Sequence, residues 1–259
     1  DGKKRDLSEY IKDLNPDTIS FETLARLEKI NLNELRIIND TERVGSCISR
    51  PGDFLAIGLN YKSHVEETKS NYPKEPILFN KSTGCICGPN DPIKLPALSK
   101  KLDYEIEVAM IIGKEGKYIK EKDSQDYIFG YCIVNDISER SWQKERGGQW
   151  IKGKSIAGNC GPILVTKDEI ENINNLNLSL SVNNEIRQKS NTKKMIFSFD
   201  YLISHISQFM TLHPGTIITT GTPDGVALGM KEPRYLKIGD QLDLKIDILG
   251  KQNQKIIKE

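Results

Sequence analysis

The spacing of apolar positions along this chain changes near residue 50. Within 20–30, Phe21, Leu24, Leu27 and Ile30 recur at every third residue and predict one helical stripe, with Ser20 placed to cap it. Thr23 stands where a capping box would put Glu, so the box is incomplete. Residues 1–48 read as short helices that form a small accessory segment, and 49–259 as the main domain. From Pro51 the pattern turns to strands. Residues 54–60 are a short apolar run, while 105–112 begin in strict alternation and end fully apolar before a Gly113-Lys-Glu-Gly116 turn. Residues 127–134 and 161–165 are strand-like. Residues 176–182 alternate, and Asn183-Asn184 supplies a hairpin turn into 185–188. Residues 216–220 lead into Gly221-Thr-Pro-Asp-Gly225, and 242–248 alternate again. Beyond residue 50 only 138–145 and 198–209 read as helices, the second through Phe199, Leu202, Ile203 and Ile206. Many short strands with few helices predict a β-rich α+β fold, rolled or barrel-like. The Lys- and Asn-rich stretch 172–194 is expected to be a solvated surface.

Composition narrows the function classes. Of 259 residues, 37 are Lys or Arg and 36 are Asp or Glu, a formal charge of +1 that argues against a dedicated nucleic-acid or membrane-surface binder. No apolar run approaches the length of a membrane span. The polar start and the odd, scattered set of five cysteines predict reduced thiols in a cytoplasmic protein. With only three histidines, a Cys/His zinc site is not expected, and a metal is to be sought among carboxylates.

Several clusters could carry chemistry. Residues i and i+2 of a strand share a face, so Asp103, Glu105 and Glu107 are expected to line up together. Asp136 ends the apolar strand that starts at Gly130, with Asn135 beside it, and a carboxylate there could complete an oxygen site for Mg²⁺ or Mn²⁺. His64 follows the first core strand. Glu67, one helical turn on, could fix its tautomer and raise its basicity, as a general base requires. His205 and His213 read as incidental. Lys154 follows a Gly-rich run without P-loop spacing, and Gly221–Gly225 could turn backbone N–H groups toward an anion.

In order along the chain, Gly58-Leu-Asn-Tyr-Lys-Ser-His64, Pro76-Ile-Leu-Phe-Asn-Lys81, Asp103-Tyr-Glu-Ile-Glu107, Asn135-Asp-Ile-Ser-Glu-Arg140, Gly148-Gln-Trp-Ile-Lys-Gly-Lys154 and Gly221-Thr-Pro-Asp-Gly225 resemble the fumarylacetoacetate hydrolase family. Residues 6–36 and 138–150 resemble the branch that holds 2,4-diketo-3-deoxy-sugar-acid hydrolases and ureidoglycolate lyase-like proteins. The resemblance implies a mixed β-sandwich roll, a homodimer, and a divalent cation, Mg²⁺ with Mn²⁺ or Ca²⁺ as alternatives, on Glu105, Glu107 and Asp136. It implies His64 as base with Glu67 as its partner, Lys154 as the group that stabilises developing negative charge, and Arg140, Gln143, Lys154 and Thr222 as substrate contacts. Ile57 lies near where larger members carry a fourth carboxylate. The implied activity is metal-dependent hydrolysis of a C–C bond in an acylpyruvate-like 2,4-diketo acid, giving pyruvate and a second acid. Sister reactions of the same site are the alternative: oxaloacetate decarboxylation, tautomerisation of a 2-hydroxy-dienoate, or ureidoglycolate cleavage. A non-catalytic metal- or metabolite-binding protein is a third reading.

Overall fold

Two strands that are buried from end to end organise the molecule, β6 (Ile106–Ile112) and β7 (Ile128–Asp136). Strands covered on both faces need apolar residues at every position rather than at alternate ones, which is why both read as continuous runs. The computed structural model describes residues 2–39 and 41–259, so Asp1 and Asp40 of the expected accessory segment lie outside it.

Around this pair a seven-stranded sheet adds β1 (Phe54–Gly58), β2 (Ile77–Asn80), β3 (Ile86–Cys87), β9 (Gly158–Thr166) and β12 (Ile217–Thr219). Its order is β2-β1-β12-β6-β7-β9-β3. β1 runs parallel to β12 and β3 parallel to β9, and the other pairs are antiparallel. The register pairs Ala109 with Cys132, Val134 with Cys160 and Ile111 with Ile217, so these side chains share one face. Ile19 and Ile48, with half-buried Leu14 and Leu24, cover that face from the N-terminal segment. Val108, Met110, Tyr131, Ile133 and Ile218 fill the opposite face.

That second face packs on a five-stranded sheet. Its strands are β4 (Ile93–Leu95), β10 (Asn177–Val182), β11 (Glu185–Asn191), β13 (Gln241–Ile246) and β14 (Gly250–Lys258). They lie in the order β11-β10-β13-β14-β4. β13 alternates strictly between exposed and buried positions, as a strand with one wet face must. Helix α5 (Phe199–Phe209), capped by the Ser198 hydroxyl, buries Phe199, Leu202, Ile203 and Ile206 in the same core. Among the described residues, no helix is long and apolar enough to cross a membrane.

Four expectations change. Among the described residues before β1, only α1 (Phe21–Leu27) is α-helical, capped as expected by Ser20, with one 3₁₀ turn at Leu32–Glu34. Asn15 and Asn31 instead accept hydrogen bonds from the backbone N–H two residues on, which favours turns over helix. Residues 172–194 are not simply a solvated surface, because Leu178, Leu180, Val182, Gln188 and Ser190 point inward from β10 and β11. Asp103 does not continue one strand with Glu105 and Glu107. It belongs to β5 (Leu102–Asp103), which pairs with β8 (Ser138–Glu139), and β6 starts only at Ile106. Finally, β14 escapes a search for hydrophobic alternation because two of its inward residues are Gln252 and Gln254. Their amides reach carbonyls that the ladders leave over: Gln252 Nε2 approaches the oxygens of Ile133, Asn159 and Gly161 at 3.1, 3.0 and 2.8 Å.

Gln252→Leu keeps the volume but leaves those carbonyls without their donor. It is expected to lower the unfolding free energy by about 2–3 kcal/mol, read as a lower urea midpoint at unchanged m value. An unchanged midpoint would show that the amide does not fasten the two sheets.

Candidate active site

Where the β6–β7 ladder gives way to polar residues, buried carboxylates meet. The Asp136 N–H donates to the Glu105 carbonyl at 2.9 Å, so the backbone itself sets these two acids side by side. One oxygen from each of Glu105, Glu107 and Asp136 lies within 4.8 Å of the others, and all three residues are buried. Asp103 lies outside this group.

Cations fill the gaps between them. Arg140 Nε meets Asp103 Oδ2 at 2.8 Å and its NH2 meets Glu105 Oε1 at 2.5 Å. Lys154 Nζ lies 2.5 Å from Glu105 Oε2 and 3.0 Å from Asp136 Oδ2. Lys81 Nζ lies 2.5 Å from Asp136 Oδ1 and also reaches the Lys154 carbonyl. The result is an alternating chain of six buried charges, Asp103–Arg140–Glu105–Lys154–Asp136–Lys81. Glu107 stands outside it: its Oε2 accepts from the Gly221 N–H at 2.9 Å, and among the described residues it has no ion pair.

The protonation of the site follows from this pattern. Burial works against the Glu105 carboxylate, but the positive charges of Arg140 and Lys154 hold it well below the usual range. Burial likewise opposes the Lys154 charge, and Asp136 and Glu105 outweigh it, so its pKa lies above the usual lysine value. Glu107 is pushed well above the usual carboxylate value by burial and by its like-charged neighbours Asp136 and Glu105. An all-carboxylate set with one uncompensated member fits a hard divalent cation, which would supply the missing positive charge.

The second part of the site stands on helix α2 (Lys62–Glu67). His64 Nδ1 and Glu67 Oε1 are 2.8 Å apart, and Glu67 Oε2 accepts from the Gly225 N–H at 2.9 Å. Gly229 leaves room for the Glu67 carboxyl, since a Cβ at that position would lie 2.5 Å from it and displace it from His64 and Gly225. With Nδ1 engaged, Nε2 is the His64 nitrogen left to exchange a proton.

His64, Glu67, Glu105, Glu107 and Lys154 line one cavity of about 640 Å³, together with Arg140, Gln143, Trp150 and Thr222, while Asp136 and Lys81 lie behind its wall. Helix α3 (Arg140–Lys144), whose N-cap Glu139 accepts from the Trp142 N–H at 2.7 Å, carries Arg140 and Gln143. Helix α4 (Ile151–Lys154) carries Lys154. Gln143 Oε1 accepts from Arg140 NH1 at 3.1 Å, and the Thr222 hydroxyl donates to the Ile106 carbonyl at 3.0 Å. Ile57 also lines the cavity. His205 stacks on Tyr201 and meets Phe209 edge-on, and exposed His213 pairs with Glu115, so neither enters the site.

Sequence reasoning gave no role to Lys81, although it ends one of the quoted motifs. A lysine closing a largely apolar run was the available signal. It also assigned no role to Gln188 and Gln254. Gln188 Oε1 accepts from the Ile106 N–H and its Nε2 donates to Thr222. Gln254 Oε1 accepts from Asn135 Nδ2, and Asn135 Oδ1 accepts from the Glu105 N–H.

The family of fumarylacetoacetate hydrolase C-terminal domains matches residues 53–257. A proposed hydrolase of Burkholderia multivorans, named without a substrate, is 47% identical over 257 residues, 98% of this chain and 91% of its own. Among solved structures, fumarylacetoacetate hydrolase from Exiguobacterium antarcticum superposes with a TM-score of 0.88 at 32% identity, covering 100% of this chain and 93% of its own. Maleylpyruvate hydrolase from Sphingobium sp. SYK-6, solved with manganese(II) and pyruvate, gives 0.78 at 29% identity over 93% of this chain and 84% of its own.

Removing one member of the charge chain tests the geometry without reference to activity. Lys81→Met strips Asp136 of one of its two cations and is expected to cost about 3 kcal/mol of stability, measured by urea unfolding in EDTA. A neutral result would mean that Lys81 does not hold Asp136.

Proposed function

We propose that this chain, which belongs to the fumarylacetoacetate hydrolase family, hydrolyses the C3–C4 bond of a 2,4-diketo acid to release pyruvate and a second carboxylic acid. One observation carries the reading: the His64–Glu67 pair lines the same cavity as Glu105 and Glu107, which meet Asp136 in one carboxylate cluster. The manganese and pyruvate bound by a structural relative agree with it, since pyruvate is the product proposed here.

Glu105, Glu107 and Asp136 would hold the divalent cation, Mg²⁺ or Mn²⁺. When bound, that ion supplies Lewis-acid stabilisation of the charge that develops on the 2-oxo oxygen. Glu67 fixes the imidazole of His64 so that Nε2 faces the reaction as a base and takes a proton from water. The hydroxide so formed attacks C4, the C3–C4 bond breaks, and its electron pair goes to the pyruvate enolate, which takes up the proton at C3. Lys154 stabilises the enolate charge. Arg140 and Gln143 border the space for the substrate's carboxylate, while Thr222 fixes the cavity wall through its bonds to Ile106 and Gln188.

Two measurements test the assignment of roles. In Glu105→Ala, the rise in Tm that Mn²⁺ gives the wild type should disappear together with turnover of acylpyruvates, because a ligand is lost from a sparse oxygen shell. Equal activity in EDTA-stripped and Mg²⁺-loaded enzyme would overturn the metal reading.

In His64→Ala, kcat should fall ~10²–10⁴-fold, the usual worth of a positioned general base. The acidic limb of the pH–rate profile should vanish while Mn²⁺ affinity stays within a factor of about three, since His64 is not a proposed ligand. Near wild-type hydrolysis in this variant would move the reading to a decarboxylase or tautomerase.

A further inference from the structure

The cysteines that look scattered in sequence are not scattered in space. Cys132 lies on β7 and Cys160 on β9, with their sulfurs 3.6 Å apart, and Cys47 comes from the irregular chain before β1 to within 3.5 Å of Cys160. The three sulfurs meet on the face of the seven-stranded sheet that the N-terminal segment covers, among Ile48, Ala109 and Val134. All three are free thiols.

Two chemistries suit three converging thiols, and the surroundings decide between them. A thiolate metal centre would bury a net negative charge, since three thiolates outweigh a divalent ion. Apart from the Ser46 hydroxyl the walls are apolar, and among the described residues no ion pair involves the residues lining them, so no cation would compensate that charge. A disulfide is neutral and carries no such cost. Of the two close pairs, Cys132 is held by its pairing with Ala109 on β6 and Cys160 by its pairing with Val134 on β7, so drawing their sulfurs from 3.6 Å to the ~2.05 Å of a disulfide would strain the sheet. Cys47 lies outside the strands and helices, so no ladder holds its backbone, and it is half-buried where Cys160 is fully buried.

We propose that Cys47 and Cys160 form a reversible, peroxide-driven disulfide that pins the N-terminal segment to β9. Hydrogen peroxide reacts at the Cys47 sulfur: the O–O bond breaks, one oxygen stays on sulfur as a sulfenic acid, and the other leaves as water. The Cys160 sulfur then attacks Cys47, the S–S bond forms, and hydroxide leaves and is protonated by the hydrogen that Cys160 gave up. Two thiols and one peroxide become one disulfide and two waters. The bond would join residues 113 positions apart and so restrict the unfolded chain.

The test treats the whole protein with a few equivalents of hydrogen peroxide, blocks remaining thiols with N-ethylmaleimide under denaturation, and maps peptides without reduction. One Cys47–Cys160 linked peptide is expected, with Cys85, Cys87 and Cys132 alkylated. Tm should rise by about 5–10 °C and return on adding dithiothreitol. Cys47→Ser, a near-isosteric change at a half-buried site, should abolish both the peptide and the shift while keeping the unoxidised Tm. A Cys132–Cys160 peptide, sulfinic acid on Cys47 without a cross-link, or a linked wild type whose Tm does not rise would each overturn the proposal.

Discussion

Burying carboxylates is costly, and the architecture around β6 and β7 answers that cost. Glu105, Glu107, Asp136 and Asp103 are all removed from water, and an unpaired ion in such a place would take up a proton or disrupt the fold. Arg140, Lys154 and Lys81 enter from α3, α4 and the end of β2 to alternate with three of the acids. The placement of those elements, and the glycine that lets α4 lie against α3, follow from that pairing. At Gly153 a Cβ would stand 2.4 Å from the Glu139 carbonyl, so the close approach that delivers Lys154 requires glycine.

Each wall of this charge chain is braced by the second sheet. Gln254 on β14 fixes Asn135, which fixes the Glu105 backbone, and Gln188 on β11 fixes the Ile106 backbone and Thr222. Buried amides at these positions are destabilising unless every partner is met, so they position the strands more exactingly than leucines would. The His64–Glu67 pair is braced in the same manner, because the Gly225 loop that holds Glu67 is anchored to the charge chain by Asp103, which accepts from the N–H groups of Ala227 and Leu228.

One face of one sheet therefore serves two purposes. At its polar end it presents Glu107 and the acids beside it. Farther along β6, β7 and β9 the same face becomes apolar, gathers the three cysteines, and receives the N-terminal segment. Anything that tightens the contact at Cys160 acts on β9, whose first residue, Gly158, pairs with Asp136.

The β-rich class, most strand positions, the capped helix at Ser20 and the residue types of the site are legible in the chain before it folds. Alternation, fully apolar runs and i,i+3 pairs such as His64 and Glu67 are local properties, displayed directly by neighbouring residues. Hidden from that reading are β14, where glutamines take the inward places, the break in the strand after Asp103, and the use of Lys81. Which carboxylates stay paired is a matter of packing. Folding places Arg140, 35 residues after Glu105, against one side of that acid, and Lys154, 49 residues after it, against the other. It also brings Cys47 to Cys160 across 113 residues. Pairings of that kind depend on which strands become neighbours, and β1 beside β12 or β7 beside β9 is settled by burial of whole faces rather than by any local signal.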